Sequence, residues 1–306
     1  TDYFEFTHYV DSDADILQLV DRGEARVGII IPPDFSTRLT AGKSANIQVF
    51  IDGSDPFVAQ TALFAAETIS QSAAVEIISH RIERSMAGGT FQIPIDLRSR
   101  LLYNPEMKRI NFMIPGLVGA ILQVQTLILT ALAIVREREQ GTLEQLIVTP
   151  IKRWELMLGK IIPYVIVAFF NVALTLALGS LWFRVPVKGD TLLLLALSLI
   201  FLLSSLGLGI LISTVSKTQM QAIHLTTFVM LPAFILSGFI VPRENMPWLA
   251  YYAGFFLPIT YFLVILRGIV LKGIGVVYLW KQVLPLAAFS VGVFATSVLA
   301  FHKRLE

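Results

Sequence analysis

The sequence predicts a polytopic α-helical membrane protein: five transmembrane helices plus a re-entrant helical hairpin, together with a small α/β domain. Of the 306 residues, 55% are hydrophobic and only 15% are charged, and the mean hydropathy is +0.70, well beyond the composition of soluble domains. Charge is also divided unevenly. Residues 1–111 hold 10 Lys and Arg against 15 Asp and Glu, a net of −5, whereas residues 112–306 hold 14 against 7, a net of +7. Long stretches of the second region lack any Asp, Glu, Lys or Arg, so the two regions suit different solvents.

The first 109 residues predict the α/β domain. Asp13 to Val20 reads as a short helix with apolar Ile16, Leu17, Leu19 and Val20, capped by Ser12 or Asp11 and ended near Gly23. Arg26 to Ile31 is β-branched and stops at Pro32-Pro33, and Asn46 to Ile51 is a second strand closed by Asp52-Gly53-Ser54-Asp55-Pro56. A long alanine-rich helix over 57–87 follows and stops at Gly88-Gly89. A region of about 110 residues is large enough to bury its own core.

Residues 110–306 predict the transmembrane domain. Charge-free runs cover 110–135, 161–183, 191–216, 218–242, 245–266 and 282–301. Each has the roughly 20 residues needed to cross a hydrocarbon core about 30 Å thick. Five are expected spans, at about 111–135, 159–183, 191–214, 219–241 and 279–301. In the remaining run, Gly254 and Pro258 leave pieces of roughly ten residues, too short to cross at about 1.5 Å per residue. Residues 245–268 therefore predict a re-entrant segment, the alternative being a kinked sixth span.

Five crossings put the two termini on opposite sides. Lys and Arg counts do not orient them: eight on loops of the C-terminal side stand against six on the other, and Lys108 with Arg109 cancels that lead. The sequence begins at Thr1 with no initiator Met, signal peptide or early span. A domain outside the membrane needs one of these, so an upstream transmembrane helix is expected to be missing.

Cysteine is absent, which excludes disulfides, thiolate catalysis and Cys-ligated zinc. Gly42-Lys43-Ser44 resembles the end of a phosphate-binding loop, but Thr37 stands where the first glycine belongs, and a turn fits better. His8, His80, His224 and His302 lack metal-ligand spacing. No catalytic, cofactor-binding or metal site is expected. All seven acidic residues after 111 lie between or beyond the apolar runs, whereas proton-driven carriers commonly place a carboxylate in the membrane. Gln123, Gln125, Asn171 and His224 are the candidates for lining a translocation path, each with the alternative role of a helix-to-helix hydrogen bond.

The loop between the first two spans carries the most information. Thr142 and Gln145 have capping-box spacing, so a helix over 142–149 is expected, begun after Gly141 and ended by Pro150. Leu143, Leu146 and Ile147 share one face, while Glu144 and Gln145 lie elsewhere. Such a helix either rests on lipid headgroups or acts as a rigid knob that passes the movement of a cytosolic motor to the two attached spans.

Val135-Arg-Glu-Arg-Glu-Gln-Gly-Thr-Leu-Glu-Gln-Leu-Ile-Val-Thr-Pro150 resembles the signature loop of type-2 permeases of ATP-binding cassette (ABC) exporters, above all the bacterial multidrug-type subfamily. Tyr103-Asn104-Pro105-Glu106, Leu236-Ser237-Gly238-Phe239 with Glu244-Asn245-Met246-Pro247, and Pro258-Ile259-Thr260-Tyr261 leading to Leu266-Arg267-Gly268 match as well. The resemblance spans nearly the whole chain. It implies a half-transporter of the bacterial inner membrane, with residues 1–109 extracytosolic and the C-terminus cytosolic. The spans would be the family's second to sixth, since its entry helix and first span have no counterpart here, and a fragment with that deletion is not expected to transport.

The resemblance further implies two permeases, as a homo- or heterodimer, around a path for amphiphilic drugs or lipid-like substrates, driven by alternating access. Cytosolic ABC ATPase subunits would bind ATP and Mg, so the chain by itself is no enzyme. A periplasmic adaptor is a further expected partner, and nucleic acid is not. Residues coupling to the ATPase would be Arg136, Glu137, Arg138, Glu139, Gly141, Thr142, Leu143, Glu144, Gln145, Leu146, Ile147, Thr149 and Pro150. Gly141 would permit the bend, and Leu143, Leu146 and Ile147 would fill the ATPase groove. The competing classes are a membrane-anchored receptor or scaffold whose outer domain binds a ligand, and a secondary carrier, which the missing intramembrane carboxylates disfavour.

Overall fold

The computed structural model describes residues 4–84, 93–141 and 153–300. The chain divides into two compact units, Thr1–Arg109 and Ile110–Glu306.

In the first unit the order is α1 (Asp13–Asp21), β1 (Val27–Ile30), α2 (Phe35–Thr40), β2 (Ala45–Asp52), α3 (Pro56–Arg84) and β3 (Ile95–Leu102). The sheet runs β1-β2-β3, with β1 antiparallel to β2 and β2 parallel to β3. Successive side chains of a strand point to opposite faces, and β2 uses both. Val49 and Ile51 join Ala59 and Ala62 of α3 in one apolar cluster, while Phe50 joins Ile16 and Val20 of α1 in another. Ser12 caps α1 by accepting from the Asp15 amide. Gly42, at φ +75°, makes the turn between α2 and β2, so the Gly42-Lys43-Ser44 stretch joins a helix to the strand that follows it, the reverse of a strand-to-helix phosphate loop.

The link from β2 to α3 is closed by buried polar groups. Asp52 accepts from Arg26 at 3.0 Å and from the Ser54 amide at 3.0 Å, and Asp55 accepts from the Phe57 amide at the start of α3. Beyond β3, Tyr103 takes a positive φ of 63° and donates to Asp21. Burial, reinforced by the Asp21 carboxylate, pushes the Tyr103 hydroxyl above the usual phenol range, so it stays protonated and remains a donor. Asn104 bonds both the amide and the carbonyl of Lys108, at 3.2 and 3.1 Å.

From Arg109 onward the described residues form mainly helices: α4 (Arg109–Glu139), α5 (Arg153–Leu181), α6 (Thr191–Val215), α7 (Gln219–Leu236), α8 (Trp248–Ala253), α9 (Pro258–Arg267) and α10 (Val276–Ala300). Among the described residues, five segments are long and apolar enough to cross a membrane: α4, Ile162–Leu181 of α5, α6, α7, and Val276–Ser297 of α10. This is the polytopic architecture that the charge-free runs predict. α7 ends at Leu236 rather than near residue 241, because Ser237 caps it and Gly238 turns the chain at φ +85°. Beyond it, Trp248–Phe256 and Pro258–Lys272 meet at 90°. Leu257 is extended, as a residue before proline tends to be, and Pro258 opens α9.

α4 and α6 form the interior, whereas α5, α7 and α10 are mostly uncovered within one chain. The largest apolar cluster joins Val118 and Leu122 of α4, Phe201 and Leu202 of α6, Ile259 to Leu266 of α9 and Leu286 of α10. The Phe201 and Phe262 rings stack with centroids 4.1 Å apart and planes within 3°. Where α4 crosses α6, a Cβ on Gly209 would fall 2.8 Å from the Cβ of Thr130 and 3.2 Å from the Leu127 carbonyl oxygen. Small residues allow such backbone approach in membranes, where apolar burial between helices gives little drive. Gly209→Val should therefore lower the thermal midpoint of the purified protein in detergent. Gly292→Ala, at a site with nothing within 4 Å, should leave it unchanged.

Candidate functional site

The charged stretch that closes α4 is fastened to two other helices. Arg138 donates from Nη1 to two backbone carbonyls, that of Ser213 at 3.2 Å and that of Ser216 at 2.8 Å. Ser213 lies in the last turn of α6 and Ser216 is its C-cap. Glu139 accepts from the Gln219 backbone amide at 2.8 Å and from the Gln219 side-chain amide. Gln219 is the first residue of α7.

The electrostatics of both contacts favour this arrangement. The last carbonyls of a helix lack intrahelical partners and carry partial negative charge, and the first amides carry partial positive charge. One dipeptide thus sets a cation on the carboxyl end of α6 and an anion on the amino end of α7. Thr218 adds a side-chain cap by accepting from the Gln221 amide, and the Gln221 side chain accepts from the Lys217 amide. Behind these contacts Leu127, Ala131 and Val135 of α4 pack against Ile212 of α6 and Ala222 of α7. α4 then stops at Gly141, whose φ of +69° is open to glycine at little cost.

Among the expected coupling residues, Arg136, Glu137, Arg138, Glu139 and Gly141 occupy this helix end, with Arg136 exposed and Glu137 half-buried. Thr142, Leu143, Glu144, Gln145, Leu146, Ile147, Thr149 and Pro150 lie outside the described residues. Sequence reasoning missed Ser213, Ser216 and Gln219. A signal existed for the last, since Thr218-Gln219-Met220-Gln221 spells a capping box at the start of an apolar run.

The polar candidates within the spans separate into distinct environments. The Asn171 side-chain amide of α5 donates to Gln125 Oε1 of α4 at 2.7 Å. Gln123 lies two residues from Gln125, about 200° around the helix. It shares a buried face with Thr126 and Thr130, and Gln123 Oε1 and both threonine hydroxyls have no hydrogen-bond partner among the described residues. His224 is exposed on α7. The structure therefore joins Gln125 to Asn171 and brings neither Gln123 nor His224 into that pair.

The end of the bundle where α4 begins is built around two arginines. Arg267 lies 3.6 Å above the Phe112 ring of α4 and donates to the Gly238 carbonyl at 3.1 Å. Arg243 stacks on Tyr251 and Phe255 and donates to the Tyr251 carbonyl at 2.7 Å. The Thr260 hydroxyl donates to the Gly254 carbonyl at 2.7 Å across the 90° bend. Arg267 thus answers a carbonyl in the turn after α7, and Thr260 joins the Leu257 amide on the Gly254 carbonyl at the bend.

A family model described as "ABC-2 family transporter protein" matches residues 1–299. The chain is 31% identical over 302 residues to the probable multidrug ABC transporter permease YbhR of Escherichia coli (strain K12), covering 98% of this chain and 80% of that protein. To the probable multidrug ABC transporter permease YbhS of the same organism it is 35% identical over 298 residues, with 97% and 78% covered. The inner membrane transport permease YhhJ, also from that strain, is 30% identical over 292 residues, with 94% and 75% covered.

The contact between Gln125 and Asn171 should show a coupling of about 0.6 kcal/mol, the mean for interhelical hydrogen bonds in a membrane. A double-mutant cycle of Gln125→Ala and Asn171→Ala, read by unfolding in mixed micelles, measures it. Strict additivity would remove the bond as a contributor.

Proposed function

The chain belongs to the ABC-2 transporter family and is the membrane permease subunit of an ABC exporter, and from that premise we propose that its 136–150 segment receives the stroke of the ATPase and converts it into alternating access. The chain itself is not an enzyme, since ATP hydrolysis is done by a separate ATPase. The family implies that partner ATPase and a dimeric assembly of the multi-pass inner-membrane protein. ATP and Mg are bound by the partner.

The observation that carries the coupling role is the build of the α4 end. Arg138 and Glu139, immediately before the 142–149 helix expected from the sequence, are hydrogen-bonded to two further spans. A force applied to the loop meets a braced helix rather than a frayed one. In this reading Leu143, Leu146 and Ile147 enter a groove on the ATPase, and Arg136 and Glu137 face the membrane edge.

The same reading orients the molecule. The 136–150 segment is cytosolic, residues 1–109 are extracytosolic, and the C-terminus returns to the cytosol. The bent pair over 245–268 is then re-entrant at the outer mouth. Its support is that Arg267 and Phe239 pack against Phe112 and Gly116, at the end of α4 remote from Glu139.

The substrates proposed are amphiphilic drugs or lipid-like molecules. Two relatives are named as probable multidrug permeases, and the charge-free runs offer no fixed charge to replace the hydration of a small ion. Gln123, Gln125, Asn171 and His224 are the polar points proposed along the path.

Leu146→Asp places a carboxylate where an apolar groove is expected. It should abolish substrate-stimulated ATP hydrolysis in the reconstituted permease–ATPase complex. Unchanged stimulation would remove the groove contact from this account.

A further inference from the structure

We propose that Arg138 and Glu139 form a relay clamp that transmits movement of the 136–150 segment sideways into the α6–α7 hairpin, so that the clamped ends of α4, α6 and α7 move as one body. The inference rests on the coupling role proposed for that segment and adds where the movement goes.

Three observations carry it. First, the clamp joins positions far apart in sequence: Arg138 reaches Ser213 and Ser216, and Glu139 reaches Gln219. Second, each side chain engages two groups. Arg138 spans two carbonyls at the end of α6, and Glu139 takes both the backbone and the side-chain amide of Gln219, so the contact resists rotation as well as separation. Third, the clamp is backed by packing. Ser213 and Ser216 are fully buried, and the apolar cluster of Leu127, Ala131, Val135, Ile212 and Ala222 lies directly behind them on the same three helices.

α5, the other helix attached to the loop, makes a different kind of contact. Its Asn171 amide donates to Gln125 of α4, and its Tyr164 and Val165 pack against Ile134 of α4 and Ile210 of α6. Force entering between α4 and α5 therefore meets, on the α4 side, a helix end tied by charged side chains to α6 and α7. Arg138, Glu139 and Gln219 are positioning residues in this scheme and touch no substrate.

The absence of cysteine gives a clean test. Single-cysteine reporters Gln140→Cys, on the α4 side, and Met220→Cys, on the α7 side, both stand at exposed positions. Each is introduced into the reconstituted permease–ATPase complex, and its maleimide labelling rate is measured with and without MgATP. With the clamp intact, both rates should change several-fold on adding nucleotide.

Gln219→Glu sets a like charge against Glu139. It should erase the change at Met220→Cys while the change at Gln140→Cys persists. The reversed pair, Glu139→Gln with Gln219→Glu, again offers an amide to a carboxylate and should restore the response at Met220→Cys. A general folding defect would not spare one reporter, nor would it be repaired by the exchange. Persistence of the Met220→Cys response in Gln219→Glu overturns the relay and leaves the coupling role standing. Absence of any response at both reporters in the intact complex overturns the coupling role and the relay together.

Discussion

A chain in hydrocarbon must satisfy its own backbone polar groups, because no water is present to do so. Within a helix this is automatic, and the constraint bites only at ends and breaks. The contacts of Arg138, Glu139, Arg243, Arg267 and Thr260 all sit at such places. Arg138 answers the carbonyls at the end of α6, and Glu139 answers the amides at the start of α7. Arg243, Arg267 and Thr260 answer carbonyls at the turn after α7 and at the 90° bend. Charged side chains thus collect where the backbone needs them, which leaves the spans themselves free of charge.

That distribution also bears on energetics. A permease driven by a proton gradient needs a group in the membrane that gains and loses the proton, and the charge-free runs offer no carboxylate for it. The mechanical route from a separate ATPase needs something else, a stiff path from the membrane edge into the bundle. Side chains that hold two partners each, backed by close-packed apolar residues, supply stiffness of that kind.

The five spans were legible because charge-free length is a one-dimensional property. β1 and β2 stand where β-branched runs end at turn residues. β3 escaped notice because Asp96, Arg98 and Arg100 alternate with Ile95, Leu97 and Ser99, the pattern of an edge strand with a solvated face. The shortened end of α7 escaped because Ser237-Gly238 continues an uncharged run that the turn interrupts. In the site, the residue types of the Arg136 to Glu139 stretch pointed to the membrane edge, but their partners lie about 80 residues away in sequence. A single sequence holds no record of which carbonyl a guanidinium finds, nor of whether Gln125 faces Asn171 or lipid.

The sparse cover of α5 has an evolutionary corollary. Lipid tails are as apolar as leucine side chains, so exchanging one bulky aliphatic or aromatic group for another at Ile166, Phe170 or Leu178, all outward-facing within the single chain, alters solvation little. Drift along that helix then records the bilayer or the neighbouring subunit it meets. The glycine at the α4–α6 crossing, by contrast, has almost no room to drift.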